Sequence, residues 1–249
     1  MNKFITNPQD YTIDDLRNNE WDIVKLNITF DIEPMLEWFN KLSKDSLWRF
    51  NMKNTFRPGM LSDIRMDGLC VGDAGFWALQ WPTQRSDPLP NPIFANRDQY
   101  PELLDDNWEE YMSNHLDQYY YGFYKSFVEQ IGQDAWTWGR AMDIANEQGI
   151  GPHRDHDDPG HKIRLHVNIQ ADERATWHFG TQLGINARET WPYMDREHYA
   201  KSGDIFLVNV SNVHSPINHG HSNWKLLHSD PLDSSINRLL QSTQHISLK

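Results

Sequence analysis

The pattern of apolar and polar positions changes twice along the chain. From Trp21 to Phe30, "WDIVKLNITF" places apolar side chains at close to every second position, the period of a half-buried strand. In "EPMLEWFNKL" (33–42) the spacing lengthens to three and four residues and predicts a short helix. Pro34 is tolerated in its first turn, where N–H groups have no partner within the helix. "FWALQW" (76–81) predicts another strand, and the proline-punctuated "PTQRSDPLPNP" after it predicts a loop. Between about 101 and 131, apolar residues from Leu104 to Ile131 recur at helical steps, with His115 on the stripe and Gly132 as a stop. One long amphipathic helix against a sheet is predicted there.

After residue 134 the period shortens again. Short strand-like runs occur at 135–146, 162–170, 175–181, 203–210 and 224–228, separated by turn residues. Strands following a helical stretch predict a mainly β fold with flanking helices, a sandwich or barrel with helices packed outside. The expected organisation is one domain over 1–249. It comprises a mixed N-terminal region (1–133), a barrel core (134–230) and a C-terminal tail (231–249).

Composition narrows the function classes. The 249 residues are 38% hydrophobic and 12% aromatic, enough for one packed core. A formal net charge of −12 without a basic cluster argues against nucleic acid or an anionic membrane as partner. Cys70 is the single cysteine, so neither a disulfide framework nor a cysteine-based zinc site is available. The N-terminal residues have no apolar signal core and no run reaches the length of a membrane span, so a cytoplasmic protein is expected.

The chemistry concentrates in "GPHRDHDDPGHKIRLH" (151–166), which holds four histidines. His-x-Asp triplets occur at 115–117, 153–155, 156–158 and 228–230, and their contexts separate them. His115 lies on the helical stripe, where residues two apart diverge. His228 stands too late for a further ligand-bearing strand to follow it. His153 and Asp155 follow a "GIGP" turn, and in extended structure both can face one ion. His156 and Asp158 form a competing frame deeper in the loop. In "KIRLHVNIQ" the apolar residues Ile163, Leu165, Val167 and Ile169 alternate with Arg164, His166, Asn168 and Gln170, giving the strand a polar face. "GDIFLVNVSNVHSPINHG" carries His214 after an apolar strand, and Lys225 follows on the next one.

Taken in order, His153-x-Asp155, Arg164-x-His166, Gly203-Asp204, His214 with Asn218, and Lys225 resemble the iron(II)/2-oxoglutarate-dependent oxygenases. Among these the set is most similar to the aspartyl/asparaginyl β-hydroxylase-like group, which includes free-proline hydroxylases. The resemblance covers roughly residues 135–230. It implies a double-stranded β-helix, a cupin-like jelly-roll barrel, with Fe(II) held by His153, Asp155 and His214. It implies 2-oxoglutarate and dioxygen as further reactants, and hydroxylation of a C–H bond coupled to decarboxylation of 2-oxoglutarate to succinate. Lys225 falls where the family keeps a basic residue for the distal carboxylate, although arginine is usual there. Arg164 and His166 match the Arg-x-His of the group and would bind the cosubstrate or a substrate carboxylate. Arg140 and Trp138, from "WTWGRAM", would line the site of a small-molecule or peptide substrate, an amino acid or amino-acid residue. A zinc-dependent hydrolase using the same ligands, or a non-catalytic cupin-like metabolite-binding protein, remains the alternative.

Overall fold

The computed structural model describes residues 3–42, 50–51, 74–80, 126–127, 129–132, 136–150, 154, 163–181, 193–231 and 233–248. The N-terminal elements are β1 (Phe4–Ile5), a 3-10 turn (Pro8–Asp10), α1 (Ile13–Asn18), β2 (Ile23–Lys25), β3 (Asn27–Phe30) and α2 (Ile32–Leu42). They are followed by β4 (Phe50–Asn51) and β5 (Ala74–Gln80). The strands β6 (Trp136–Ile144), β7 (Gln148–Gly149), β8 (Ile163–Gln170) and β9 (Ala175–Thr181) come next. Then come β10 (Tyr193–Tyr199), β11 (Ile205–Asn209), β12 (Val213–Asn218) and β13 (Trp224–Pro231). The chain finishes with α3 (Asp233–Gln241) and β14 (Thr243–Ile246). Residues 126–127 and 129–132 are helical. The rest of the expected helix over 101–131 lies outside the described residues.

Among the described residues, the eight strands β6 to β13 build two facing sheets. One contains the order β11-β8-β13-β6 and the other is β10-β9-β12-β7, with every neighbouring pair antiparallel. The chain passes between sheets at each step except the β9–β10 hairpin, so the pair β6–β7 lies against β12–β13 and β8–β9 against β10–β11. This doubled hairpin is the jelly roll, or double-stranded β-helix. The first sheet is extended by β2 and β1 on one side and by β5 and β4 on the other.

Burial explains the period of β8. Leu165, Val167 and Ile169 are fully buried, and α2 packs on this strand with Met35, Trp38 and Phe39 buried. The middle of the polar face expected from the sequence is buried too, with His166 2% exposed and Asn168 fully enclosed, while Arg164 and Gln170 at its ends are half-buried. His166 turns toward the opposite sheet, its ring 4.8 Å from that of Trp177 on β9. Asn168 is satisfied by accepting from Trp224 Nε1 at 3.0 Å and donating to the Asp204 carbonyl at 3.0 Å. Gln170 departs from the alternation. The pairing of β8 with β13 shifts between Lys225 and Leu226, so Gln170 lies beside Lys225 and Asn168 beside Leu226.

The segment expected as a C-terminal tail is ordered. Ile236, Leu239 and Leu240 bury one face of α3, and β14 pairs in parallel with β3. Among the described residues, no helix is long and apolar enough to cross a membrane.

Candidate metal and ligand site

The interior between the two sheets is lined by aromatic and imidazole rings. Trp177, 1% exposed, stands at the centre, with His166 on one side, Trp224 edge-on at 5.6 Å and His214 at 6.0 Å. The strand order causes this convergence. His166 lies in the second of the four strands that the first sheet gives to the jelly roll, His214 in the third strand of the other sheet, and Trp177 in β9 pairs with Pro216 of β12.

His214 is buried, 3% exposed, and its Nδ1 lies 2.9 Å from the Asn212 carbonyl. A carbonyl only accepts, so Nδ1 carries the proton and the neutral ring has its lone pair on Nε2. That tautomer suits coordination of a metal through Nε2.

The chain that enters the His153-x-Asp155 motif is bound directly to β12. Gly149 pairs with Ile217, Ile150 N donates to the Pro216 carbonyl at 2.9 Å, and Ser215 Oγ donates to the Ile150 carbonyl at 2.6 Å. Gly149 permits this approach: a Cβ there would stand 2.8 Å from the Pro216 carbonyl oxygen. Ile150 is thus tied to the two residues that follow His214. His153 and Asp155 lie three and five positions beyond it, outside the described residues, as do His115 and His156. Among the described residues, no group of three or more His, Cys, Asp or Glu is placed to hold one metal ion.

The remaining expected residues are distributed over the large sheet. Phe206, His166, His228, Arg140 and Ala78 form one row across five strands through their backbone pairing. Trp138 pairs with Asp230 two positions along β6. Arg164 is half-buried on β8, paired with Val208. Lys225 goes elsewhere. Its Nζ donates to Asn40 Oδ1 of α2 at 2.6 Å and to Gln170 Oε1 at 3.3 Å, and sits 5.9 Å from the Phe39 ring centre. Its neighbour Trp224 faces Trp177, and successive strand residues point to opposite faces. The ammonium therefore lies on the α2 side of the sheet and is not brought to His214. Asn218 is a structural residue, donating to the Ile144 and Ser222 carbonyls and accepting from Gly220 N.

Two features escaped the sequence reading. The first is Trp177, whose buried Nε1 has no acceptor among the described residues. Its position in "ATWHFGT" signals only a strand. The second is Asp22, fully buried, which receives Arg196 Nε at 2.6 Å, Arg196 Nη2 at 3.2 Å and His198 Nε2 at 3.3 Å. Burial pushes this carboxyl up, but the hydrogen bonds from His198 and Arg196 outweigh it and hold the group below the ordinary carboxylate value.

No protein-family model matches the chain, and no curated protein sequence does. Among solved structures it is similar to a 2OG-Fe(II) oxygenase family oxidoreductase from Burkholderia pseudomallei, at 12% identity over 67% of this chain and 71% of that one, with a TM-score of 0.35. It is also similar to iron-bound HygX from Streptomyces hygroscopicus, at 9% identity over 83% and 80% of the two chains, TM-score 0.39. A predicted oxalate decarboxylase from Thermotoga maritima matches at 15% identity over 42% and 73%, TM-score 0.28. The jelly roll itself is carried by the strand order of this chain.

Proposed function

We propose that the chain is an iron(II)- and 2-oxoglutarate-dependent oxygenase that hydroxylates a C–H bond of an amino acid or amino-acid residue. The observation that carries this reading is the double hydrogen bonding of Ile150 to Ser215 and Pro216. A chain advances at most about 3.6 Å per residue, so an anchor at Ile150 keeps a ligand three positions later within reach of His214. That reach supports reading the His153-x-Asp155 motif and the His214 imidazole as parts of one site.

The donor set fits the metal. His153, Asp155 and His214 would hold Fe(II) through two imidazoles and a carboxylate, a combination that leaves coordination positions open. When bound, iron and 2-oxoglutarate supply the oxidation, with dioxygen consumed and succinate and carbon dioxide released. The chain's own residues bind and orient. Trp177 offers a buried N–H that an oxygen of a bound ligand would satisfy, removing the cost of an orphan donor. Arg164 shares its side of β8 with His166 by the period of the strand, and is the cation assigned to a ligand carboxylate. The row that pairs Arg140 with His228 and His228 with His166 supports Arg140 and Trp138 as substrate residues. The aromatic lining excludes water and holds the substrate, and holding the correct C–H nearest the oxidant sets the outcome.

The test is spectroscopic. Fe(II) and 2-oxoglutarate added without oxygen should give the visible charge-transfer band of a chelated ketoacid, and His214→Ala should abolish it. With oxygen, a panel of amino acids and peptides should stimulate succinate release. A protein that binds Zn(II), gives no such band and hydrolyses its substrate would overturn the proposal.

A further inference from the structure

We infer that Asp22 and Asn212 are positioning residues for His214, resting on the reading of His214 as a ligand. The Asn212 carbonyl accepts the His214 Nδ1 proton at 2.9 Å. The side chain of the same Asn212 is held in turn. Its Nδ2 donates to Asp22 Oδ1 at 2.8 Å and to the Trp21 carbonyl at 2.9 Å. Both partners only accept, so the amide orientation is fixed by chemistry and both of its protons are used.

The turn between β11 and β12 is secured from a second direction. Asn209 Nδ2 donates to the Trp21 carbonyl at 3.1 Å, Asn209 N donates to the Asp22 carbonyl at 2.9 Å, and Asn209 Oδ1 accepts from Ser211 N at 3.2 Å. Asp22 itself is clamped by Arg196 and His198 from β10. A line of hydrogen bonds therefore runs from the edge strand of one sheet, through a buried carboxylate beside β2, to the imidazole. Asp22 contributes nothing to the site directly. Its negative charge holds Asn212, and the Asn212 backbone sets the tautomer and rotation of His214. Loss of a partner bonded directly to a ligating imidazole typically costs about 10- to 100-fold in affinity, and that is the range open to residues that hold the Asn212 carbonyl in place.

The experiment compares Asn212→Ala with Asn209→Ala, which loosens the same turn and leaves the Asp22–Asn212 contact in place. On the metal-free protein, the His214 Nδ1–H resonance is followed by 1H–15N NMR. Affinity for Co(II), as a probe for the iron, is titrated on the same samples. Asn212→Ala should erase the protected Nδ1–H signal and weaken Co(II) binding about 10- to 100-fold. Asn209→Ala, at a similar loss in urea midpoint, should keep the signal and stay within about threefold in affinity. Asp22→Asn, which retains shape without charge, should fall between them. Equal losses in the two turn variants, or a His214 signal that survives Asn212→Ala, would overturn the inference. Should Asn212→Ala fail to fold, the signal and affinity in Asp22→Asn decide it, unchanged values rejecting the role. If the wild type binds no metal but loses the Nδ1–H signal in Asn212→Ala, the ligand reading fails while the positioning holds.

Discussion

Arg196→Met isolates the energetics of the carboxylate that joins the two sheets. Methionine keeps the apolar stem of the side chain and deletes the two donors that reach Asp22 at 2.6 and 3.2 Å. Breaking a buried pair by removing one partner costs about 3–5 kcal/mol. Arg196 is itself 19% exposed, and Asp22 keeps its contacts with His198 and Asn212. The expected loss is therefore smaller than that range, about 2–3 kcal/mol, the scale of hydrogen bonds to a charged group. Urea denaturation followed by tryptophan fluorescence reads it, since Trp21 is fully buried next to Asp22. The sign with pH follows from the carboxyl. In the wild type its folded value is depressed, so its contribution is complete above the unfolded value of about 3.9 and is lost as pH falls through the lower folded value. In the variant, burial without the guanidinium raises the group, which takes up a proton at higher pH and sheds its unpaired charge. The stability gap should then narrow as pH falls from 7 toward 4. A gap under about 1 kcal/mol at pH 7, or one that does not change with pH, would refute the account.

Three further outcomes are expected. Gly149→Ala should force β7 away from the Pro216 carbonyl, lowering metal affinity by at least severalfold in a Co(II) titration without removing any ligand; unchanged affinity would show that the close approach is irrelevant. Lys225→Met should lower the free energy of unfolding by about 1 kcal/mol, the usual worth of such hydrogen bonds, and leave 2-oxoglutarate affinity intact; a tenfold loss of affinity would return the lysine to the site. His178 is held below its ordinary value by burial, with Glu197 opposing and His219 assisting. Its folded form resists protonation, so stability should drop as pH falls below about 6.5, and His178→Asn should flatten that slope between pH 7.5 and 5.5.

Much of the barrel was legible because β8, β9 and β11 carry dense apolar periods that only a sheet interior accommodates. The polar side of β8 was legible as a pattern, but its enclosure was not, since alternation alone cannot distinguish a solvated face from a ring-lined interior. β10 escaped because Asp195, Glu197 and Tyr199 are exposed on an edge strand and leave no apolar period. β12 reads as a loop in "VHSPIN" because Pro216 argues against an interior strand. Its neighbour β7 is only two residues long, so little of the ladder is lost. The face of Lys225 was decided by Trp224 beside it and by the bulge that brings Gln170 alongside, neither of which sequence spacing encodes. Asp22 gave no signal because its partners lie more than 170 positions away.

That separation governs how the molecule is made. On the ribosome, Trp21 and Asp22 emerge long before the strands that receive them: Asp22 waits 174 residues for Arg196 and 190 for Asn212, and the Ile13 amide waits 224 for Asn237. Until then a carboxylate and a strand edge are exposed. Pairings this remote pay loop-closure entropy before any contact rewards it, which slows folding and prolongs exposure to aggregation. The clasp around Asp22 is thus among the last interactions that can form. Once shut, it encloses the Asn212 turn, so the imbalance between slow assembly and firm closure favours a native state that is late to appear and slow to reopen.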